Sequence, residues 1–96
     1  MNKIVIENQE FEALHVKTSH SNVLLIKAKN GFLGCGYFDI NISNKNSEPV
    51  ALVRGVKNYE DMQNAEVYSI SEKAKELGIK IGMNGKEVLL ILNISE

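Results

Sequence analysis

The sequence predicts an α+β fold, in which a largely antiparallel sheet of about five strands carries two or three C-terminal helices packed on one face. The N-terminal half contains apolar, β-branched runs of strand length, whereas the C-terminal half contains helix-capping patterns. Between two of the runs lies Asn30-Gly31, a strong hairpin signal. The chain has 96 residues, so we expect 1–96 to form a single domain.

The N-terminal half is predicted to be a β-meander. Its strands are expected at Lys3–Ile6, Glu10–Thr18, Val23–Lys29 and Phe32–Ile40. In the second of these, the alternation of apolar and polar residues breaks between Ala13 and Leu14, which predicts a bulge or burial on both faces.

A type I′ turn at Asn30-Gly31 would set the register of the hairpin, with Lys29 opposite Phe32. Side chains alternate across a strand, so each sheet face can be written out. The expected core face carries Leu24, Ile26, Ala28, Leu33, Cys35 and Tyr37. The other face carries Lys27, Lys29, Gly34 and Gly36, with Val23, Leu25 and Phe38. Two glycines there predict a bare floor that another backbone or subunit can approach, and Gly36→Val is expected to disrupt folding or assembly.

The polar segment 41–48 is interpreted as a long loop, with a helix as the open alternative. Pro49–Arg54 is nearly continuous in apolar residues, which predicts a fifth, central strand. Asn58 is expected to cap a short helical turn.

Two further capping patterns follow. Ser69-Ile70-Ser71-Glu72 matches a capping box and predicts a helix through Leu77 that Gly78 ends. Asn84 matches a looser cap before Val88–Leu92. That last segment is apolar all round, so a buried strand remains an alternative, although the cap favours a helix.

Composition argues against several classes of function. Lys and Arg number 11 against 12 Asp and Glu, and Arg54 is the one arginine, so we expect no nucleic-acid partner. No apolar run approaches the roughly 20 residues of a membrane span, and the N-terminus lacks a signal-like apolar stretch. Cys35 is the one cysteine, so no intrachain disulfide can form. A cytoplasmic location is the expectation.

Two glycine-containing segments are candidate anion sites. Gly31-Phe32-Leu33-Gly34-Cys35-Gly36 resembles a phosphate loop, but it falls within a predicted strand rather than before a helix. Gly82, Asn84 and Gly85 are better placed, at a predicted helix start. A turn and cap is the simpler interpretation of that second segment.

Cys35, Asp39 and Arg54 are weak candidates for catalytic residues. Cys35 is the one conceivable thiol nucleophile, although a core position is favoured because free cysteine is often buried. Asp39 would lie roughly 13 Å away along a strand, too far for direct partnership. It could instead form an ion pair with Arg54 if the fourth and fifth strands are neighbours. The two histidines and Cys35 lack metal-ligand spacing, so no metal or cofactor is predicted.

Three stretches together resemble the YunC-like family of small bacterial and archaeal proteins, a domain of unknown function. They are residues 30–39, 51–62 and 74–89, including the ending Leu77-Gly78-Ile79-Lys80-Ile81-Gly82-Met83-Asn84-Gly85. The resemblance implies an α+β fold and a final helix, and it supplies no activity and no catalytic residues. Segment 41–48 is shorter and more polar than the family pattern implies.

The leading functional prediction is a small non-enzymatic module that self-associates as a homo-oligomer or binds a partner. Its expected interface residues are Gly34, Gly36, Gly82, Asn84 and Gly85. The alternative is a small-molecule-binding domain or enzyme that uses Cys35, Asp39 and Arg54, and whether the chain is an enzyme stays open. A pocket with convergent polar groups near Cys35 would favour the alternative. A flat apolar contact above ~1,000 Å² would favour the module.

Overall fold

The structure is a computed structural model that describes residues 2–94. Its strands are β1 (Asn2–Ile6), β2 (Gln9–Lys17), β3 (Asn22–Lys27), β4 (Phe32–Gly34), β5 (Val50–Leu52) and β6 (Ser69–Ile70). They form one sheet in the order β1-β2-β3-β4-β5-β6. Every neighbouring pair is antiparallel except β4 and β5, which are parallel. The predicted α+β fold with a largely antiparallel sheet is therefore confirmed, with six strands rather than about five.

Four helices accompany the sheet: α1 (Ile40–Lys45), α2 (Tyr59–Asn64), α3 (Glu72–Glu76) and α4 (Gly85–Leu92). α1 lies in the connection between β4 and β5, because parallel strands need a crossover that returns the chain to the same end of the sheet. The interpretation of 41–48 as a loop is therefore wrong for most of the segment. Asp39 begins α1, and its side chain accepts a hydrogen bond from the Asn41 N–H at 2.9 Å.

β4 is much shorter than the predicted strand Phe32–Ile40. Just after β4 the backbone still pairs with β3, because the Cys35 N–H donates to the Leu24 carbonyl at 3.1 Å. The chain then turns, with the Phe38 N–H donating to the Cys35 carbonyl at 3.2 Å. Tyr37, predicted in the core, is 59% exposed because it lies in this turn.

The β3–β4 register is offset by two residues from the prediction. Lys27 pairs with Phe32 and Leu25 with Gly34, so the loop between the strands is four residues long rather than two. Asn30 does not have a positive φ. Its N–H donates to the Leu92 carbonyl at 3.0 Å, which ties the loop to α4.

An offset of two residues leaves every side chain on its predicted face. Leu24, Ile26, Ala28, Leu33 and Cys35 are accordingly all buried, as expected. The tight hairpin turn occurs instead between β1 and β2, where Ile6 pairs with Gln9. Its two central residues, Glu7 and Asn8, have φ values of 49° and 66°, which is the type I′ conformation.

The predicted bulge in β2 is absent. Ala13 and Leu14 pair in regular register with Ile26 and Leu25. Ala13 faces the core and is fully buried, whereas Leu14 points to the opposite face and is 38% exposed. The break in the pattern therefore reflects apolar side chains on the outward face of a regular strand.

The hydrophobic core lies between the sheet and the C-terminal helices. α4 contributes Val88, Leu89 and Leu92, all with no exposed area, so the final helix is confirmed over the alternative of a buried strand. Gly85 lets α4 approach α2, because a β carbon there would collide with the Met62 carbonyl. Other buried apolar residues are Ile6, Phe11, Ala13, Leu24, Ile26, Leu33, Ala51, Val53, Val67, Ala74 and Ile79.

The helix caps match the sequence patterns at three positions and differ at one. Asn58 and Asn84 cap α2 and α4 as predicted, and Gly78 ends α3 with a φ of 92°. The prediction of a cap at Ser69 is wrong, because Ser69 belongs to β6. The residue that caps α3 is Ser71, whose hydroxyl accepts from the Ala74 N–H at 3.3 Å.

No helix within residues 2–94 is long and apolar enough to cross a membrane.

Candidate functional site

A cleft of about 640 Å³ opens beside the carboxyl ends of the parallel strands β4 and β5. In open sheets with parallel strands, ligands are commonly bound at this end, where the chain leaves adjacent strands into separate loops. The cleft is lined by His20, Ser21, Asn22, Cys35, Gly36, Tyr37, Arg54, Gly55, Val56 and Lys57. Three short segments therefore form it: the β2–β3 turn and the segments after β4 and β5.

The segment after β4 supplies the thiol of Cys35. Cys35 is 4% exposed and lies beside Leu24 on the core side of the sheet. Its sulfur accepts from the Leu24 N–H at 3.3 Å and lies 3.9 Å from the Asn22 carbonyl oxygen. The thiol thus borders the cleft but is held by two backbone groups of β3, as a core cysteine would be.

The segment after β5 supplies Arg54 and Lys57. The Val53 N–H donates to the Gly34 carbonyl at 2.9 Å, which fixes the exit from β5 against β4. Immediately afterwards, the Arg54 guanidinium carbon lies 4.5 Å from the centre of the Tyr68 ring. Such stacking orients a guanidinium while leaving the N–H donors at its edge available. Further along, the Lys57 N–H donates to the Asp61 carboxylate at 3.0 Å, which anchors this segment to α2.

The β2–β3 turn forms the third wall. It is closed by a hydrogen bond of 2.9 Å from the Thr18 N–H to the Ser21 carbonyl. Asn22 is fixed by its side-chain oxygen, which lies 2.7 Å from Nε2 of His15. The exposed His20 lies at the tip of this turn and faces the same cleft.

The lining has a marked excess of positive charge. Arg54 and Lys57 are cationic, while no aspartate or glutamate is among the described residues that line the cleft. The residues Gly36, Tyr37, Gly55 and Val56 also make no hydrogen bond within residues 2–94, so their backbone N–H groups are unused. Cationic side chains together with unused N–H donors are the groups that bind a small anion.

Two of the three candidate catalytic residues meet at this cleft, and the third does not. Cys35 and Arg54 both line it, whereas Asp39 is committed to capping α1. β4 and β5 are neighbours, as the expected ion pair required, yet Arg54 stacks on Tyr68 and makes no ion pair with Asp39. The expected Asp39–Arg54 pair is therefore wrong, because β4 ends too early to carry Asp39 to that position.

The predicted bare glycine floor is also not present. Gly34 is buried, and a β carbon on it would lie 2.7 Å from the Phe38 ring and 3.2 Å from Leu52. Phe38 folds back from the turn after β4 and covers this glycine. Gly36 is exposed and lines the cleft, and a β carbon there would lie 3.5 Å from the Tyr68 hydroxyl, an ordinary contact distance.

The second glycine cluster has structural roles in the connection to α4. Gly82 has a φ of 98°, and its N–H donates to the Val67 carbonyl at 3.0 Å. The Gly85 N–H donates to the Ala65 carbonyl at 2.9 Å, and Asn84 accepts from the Glu87 N–H at 2.8 Å. These donors are already engaged within the protein. As ligand-binding or interface residues, Gly82, Asn84 and Gly85 remain untested predictions.

Within the described chain no three histidine, cysteine, aspartate or glutamate residues are grouped so that they could hold a metal ion.

Sequence reasoning did not single out Lys57, Tyr68 or the 20–22 turn as parts of one site. The signal that could have found the cleft was the apolar run Val50–Val53, which is typical of a strand in parallel pairing. Parallel pairing of this run with β4 would have brought the segments after both strands to one end of the sheet. Continuing the β4–β5 register places Gly36 level with Arg54 and Tyr37 level with Gly55.

Comparisons with known proteins give a consistent result. A family model for a domain of unknown function, DUF1805, matches residues 34–92. The chain is 33% identical over 91 residues to the uncharacterized protein YunC of Bacillus subtilis (strain 168), which covers 91% of this chain and 90% of that protein. The crystal structure of a protein of unknown function from Thermoplasma acidophilum matches with a TM-score of 0.90 and 30% identity, over 95% of this chain and 89% of that one. These findings confirm the resemblance to the YunC-like family, and none of them indicates an activity.

Proposed function

The chain belongs to the DUF1805 family of YunC-like proteins, and we propose that it binds a small anionic metabolite in the cleft at the carboxyl ends of β4 and β5. The observation that carries this proposal is the lining of the cleft. Arg54, Lys57 and His20 line a volume of about 640 Å³, and no aspartate or glutamate is among the described lining residues. The Asp61 carboxylate lies outside this lining, where it accepts from the Lys57 N–H.

Charge complementarity is the first support. The whole chain has a formal net charge of -1, so a cleft with two lysine or arginine side chains and no acid is a local feature rather than a reflection of composition. A phosphate or carboxylate group would gain charge-assisted hydrogen bonds from Arg54 and Lys57. The stacking of Arg54 on Tyr68 reduces the entropy lost when the guanidinium is fixed by a ligand.

The dimensions of the cleft support a metabolite rather than a bare ion. Small-molecule sites are commonly about 300–1,000 Å³. Tyr37 and Val56 add apolar surface beside the cationic groups. The expected ligand therefore carries at least one anionic group together with a small organic body.

The preference for this site over the predicted glycine interface follows from the packing of Phe38. With Gly34 covered by that ring, no bare floor is left for a partner backbone to enter. A pocket with polar groups converging near Cys35 was the condition that favoured a small-molecule site, and the cleft has this arrangement. The free thiol beside it suits a reducing compartment, so a cytoplasmic location is part of the proposal.

The test is an NMR titration of the ¹⁵N-labelled protein with inorganic phosphate and, separately, with succinate, at constant ionic strength set by chloride. Saturable shift changes should concentrate at the amides of residues 36–37 and 54–57. Arg54→Ala should weaken the binding of either anion by about tenfold or more, the usual loss for one charge-assisted contact.

Lys80→Ala is the matched control, because Lys80 is exposed and does not line the cleft. This variant should bind both anions as the wild type does. Shift changes spread evenly over the surface, or equal weakening by Arg54→Ala and Lys80→Ala, would show general screening by salt and contradict the proposed site.

A further inference from the structure

The sheet face opposite the core carries an unusual number of apolar side chains. We call it the outer face and define it by Glu12, Leu14 and Val16 of β2 with Val23, Leu25 and Lys27 of β3. Leu14 is 38% exposed and Val16 46% exposed, and Val23 and Leu25 beside them are half-buried. Contiguous apolar surface with a charged rim is typical of a contact surface between proteins.

The cross-strand register makes this face complementary to itself. On β2 and β3, Leu14 pairs with Leu25, Val16 with Val23 and Glu12 with Lys27. Consider two copies whose outer faces pack against each other, related by a two-fold axis that runs parallel to the strands and midway between β2 and β3. Each of these residues in one copy then lies over its cross-strand partner in the other copy. Apolar residues then meet apolar residues, and each Glu12 meets a Lys27 of the other protomer.

The charges on this face are available for such a contact. Glu12 and Lys27 are both exposed, and neither forms an ion pair within residues 2–94. In the two-fold arrangement each Glu12 lies opposite a Lys27 of the other copy, which is favourable. Shifting one copy sideways by the width of one strand would instead place the two Glu12 side chains opposite each other, which is unfavourable.

From this register we infer that the protein forms a homodimer by packing the outer faces of β2 and β3 against each other. This goes beyond the proposed ligand cleft and does not depend on it, because none of the six residues that define the outer face lines the cleft. The earlier expectation of self-association is retained, but the contact is now carried by the β2 and β3 side chains rather than by a glycine floor.

The size of the face sets the expected strength of the dimer. With this two-fold the contact would extend from β2 and β3 over the flanking strands β1 and β4. Four strands about 4.8 Å apart, over roughly five to seven residues each, give a flat area of about 300–450 Å² per protomer. That is below the area of stable dimers, so we expect a weak, reversible dimer with a dissociation constant on the order of 10–100 μM.

Sedimentation equilibrium between about 5 μM and 1 mM tests the inference, since these concentrations bracket the expected constant. The wild type should change from monomer to dimer across the range. Val16→Lys should raise the dissociation constant by about tenfold or more, as loss of an interface anchor does. Ile81→Lys is the control: Ile81 is 63% exposed beside Ile70 of β6, which is three strands from β3 in the sheet, and its substitution should leave the constant unchanged.

A cysteine pairing experiment tests the two-fold geometry itself. Val16→Cys and Val23→Cys are made separately, and only their mixture should give a rapidly oxidised, disulfide-linked dimer, because each residue faces the other across the axis. A chain that stays monomeric at 1 mM overturns the inference. A dimer that Val16→Lys does not weaken, or that links equally well from one variant alone, indicates another contact, such as pairing of the β1 edges, and also overturns it.

Discussion

Gly34 and Gly36 are two residues apart, yet the space around their α carbons differs. A β carbon on Gly34 would lie 2.7 Å from Phe38, 3.1 Å from Phe32 and 3.2 Å from Leu52. Gly34→Ala should therefore lower the free energy of unfolding by about 1–3 kcal/mol, the usual cost of overpacking. Gly36→Ala should change it by no more than about 0.5 kcal/mol. Urea denaturation of both variants is the measurement.

The two glycine variants control each other because both add one methyl group to adjacent parts of the chain. Similar losses of stability would mean that Phe38 does not cover Gly34. The structure also revises the expectation for Gly36→Val, since a β carbon there makes only ordinary contacts, 3.5 Å from the Tyr68 hydroxyl and 3.9 Å from the Arg54 β carbon. The methyl group of Gly36→Ala would instead enter the cleft, which makes this variant a probe of ligand binding in a stable protein.

Cys35 is the residue at which the enzyme and binding interpretations differ most. The thiol is 4% exposed and bonded to the Leu24 N–H, so native alkylation by iodoacetamide should be much slower than alkylation in urea. Cys35→Ala should cost about 1 kcal/mol or more, because it removes packed volume. A native rate equal to or above the rate in urea would identify an activated thiol and favour a catalytic role.

At the level of whole elements, Ser71 links three parts of the chain. Its hydroxyl accepts from the N–H groups of Ala74 and Val50 and donates to the Glu48 carbonyl at 2.7 Å. Ser71→Ala should therefore cost about 2 kcal/mol or more, because it removes a helix cap and leaves buried strand groups without partners. The midpoint of urea denaturation reports this loss.

Ser69→Ala is the matched control for Ser71→Ala. Ser69 lies two residues earlier in β6, and its hydroxyl makes no hydrogen bond within the described residues. Its substitution should change stability by no more than about 0.5 kcal/mol. A larger loss from Ser69→Ala than from Ser71→Ala would restore the capping box predicted from the sequence.

The sequence was sufficient for local features and insufficient for those set by distant contacts. The caps at Asn58 and Asn84 were predictable because a side chain bonds an N–H three residues away. The turn at Asn30-Gly31 was not, because the Asn30 N–H bonds Leu92 and a side chain at Gly31 would collide with Pro49. These long-range contacts favour a four-residue loop over the two-residue turn that the dipeptide alone prefers.

The same distinction explains which part of the site was found. Cys35 and Arg54 could be named from residue type, but their proximity depends on the parallel pairing of β4 with β5. That pairing requires the α1 crossover, in a segment whose polar composition favoured a loop. Asp39 was misplaced for the same reason, since it begins α1 instead of continuing β4.

At the scale of the whole molecule, a ligand that binds only the folded chain must raise its stability. With phosphate at ten times its dissociation constant, the gain is about 1.4 kcal/mol. A domain of about this size gains roughly 4–8 °C in melting temperature per kcal/mol, so a rise of about 6–11 °C is expected. Thermal unfolding followed by circular dichroism, in phosphate and in chloride of equal ionic strength, measures this rise.

The variants separate site binding from the general stabilisation that phosphate gives to proteins by exclusion from their surfaces. Arg54→Ala lowers the starting stability by losing its contact with Tyr68, so the informative quantity is the increment that phosphate adds to each variant. That increment should fall sharply in Arg54→Ala and remain in Lys80→Ala, whose side chain is exposed outside the cleft. Equal increments in all three proteins would mean that exclusion alone stabilises the fold and that Arg54 holds no anion. If the stability added by phosphate falls in Arg54→Ala but not in Lys80→Ala, then phosphate stabilises the folded chain by binding at the Arg54 guanidinium.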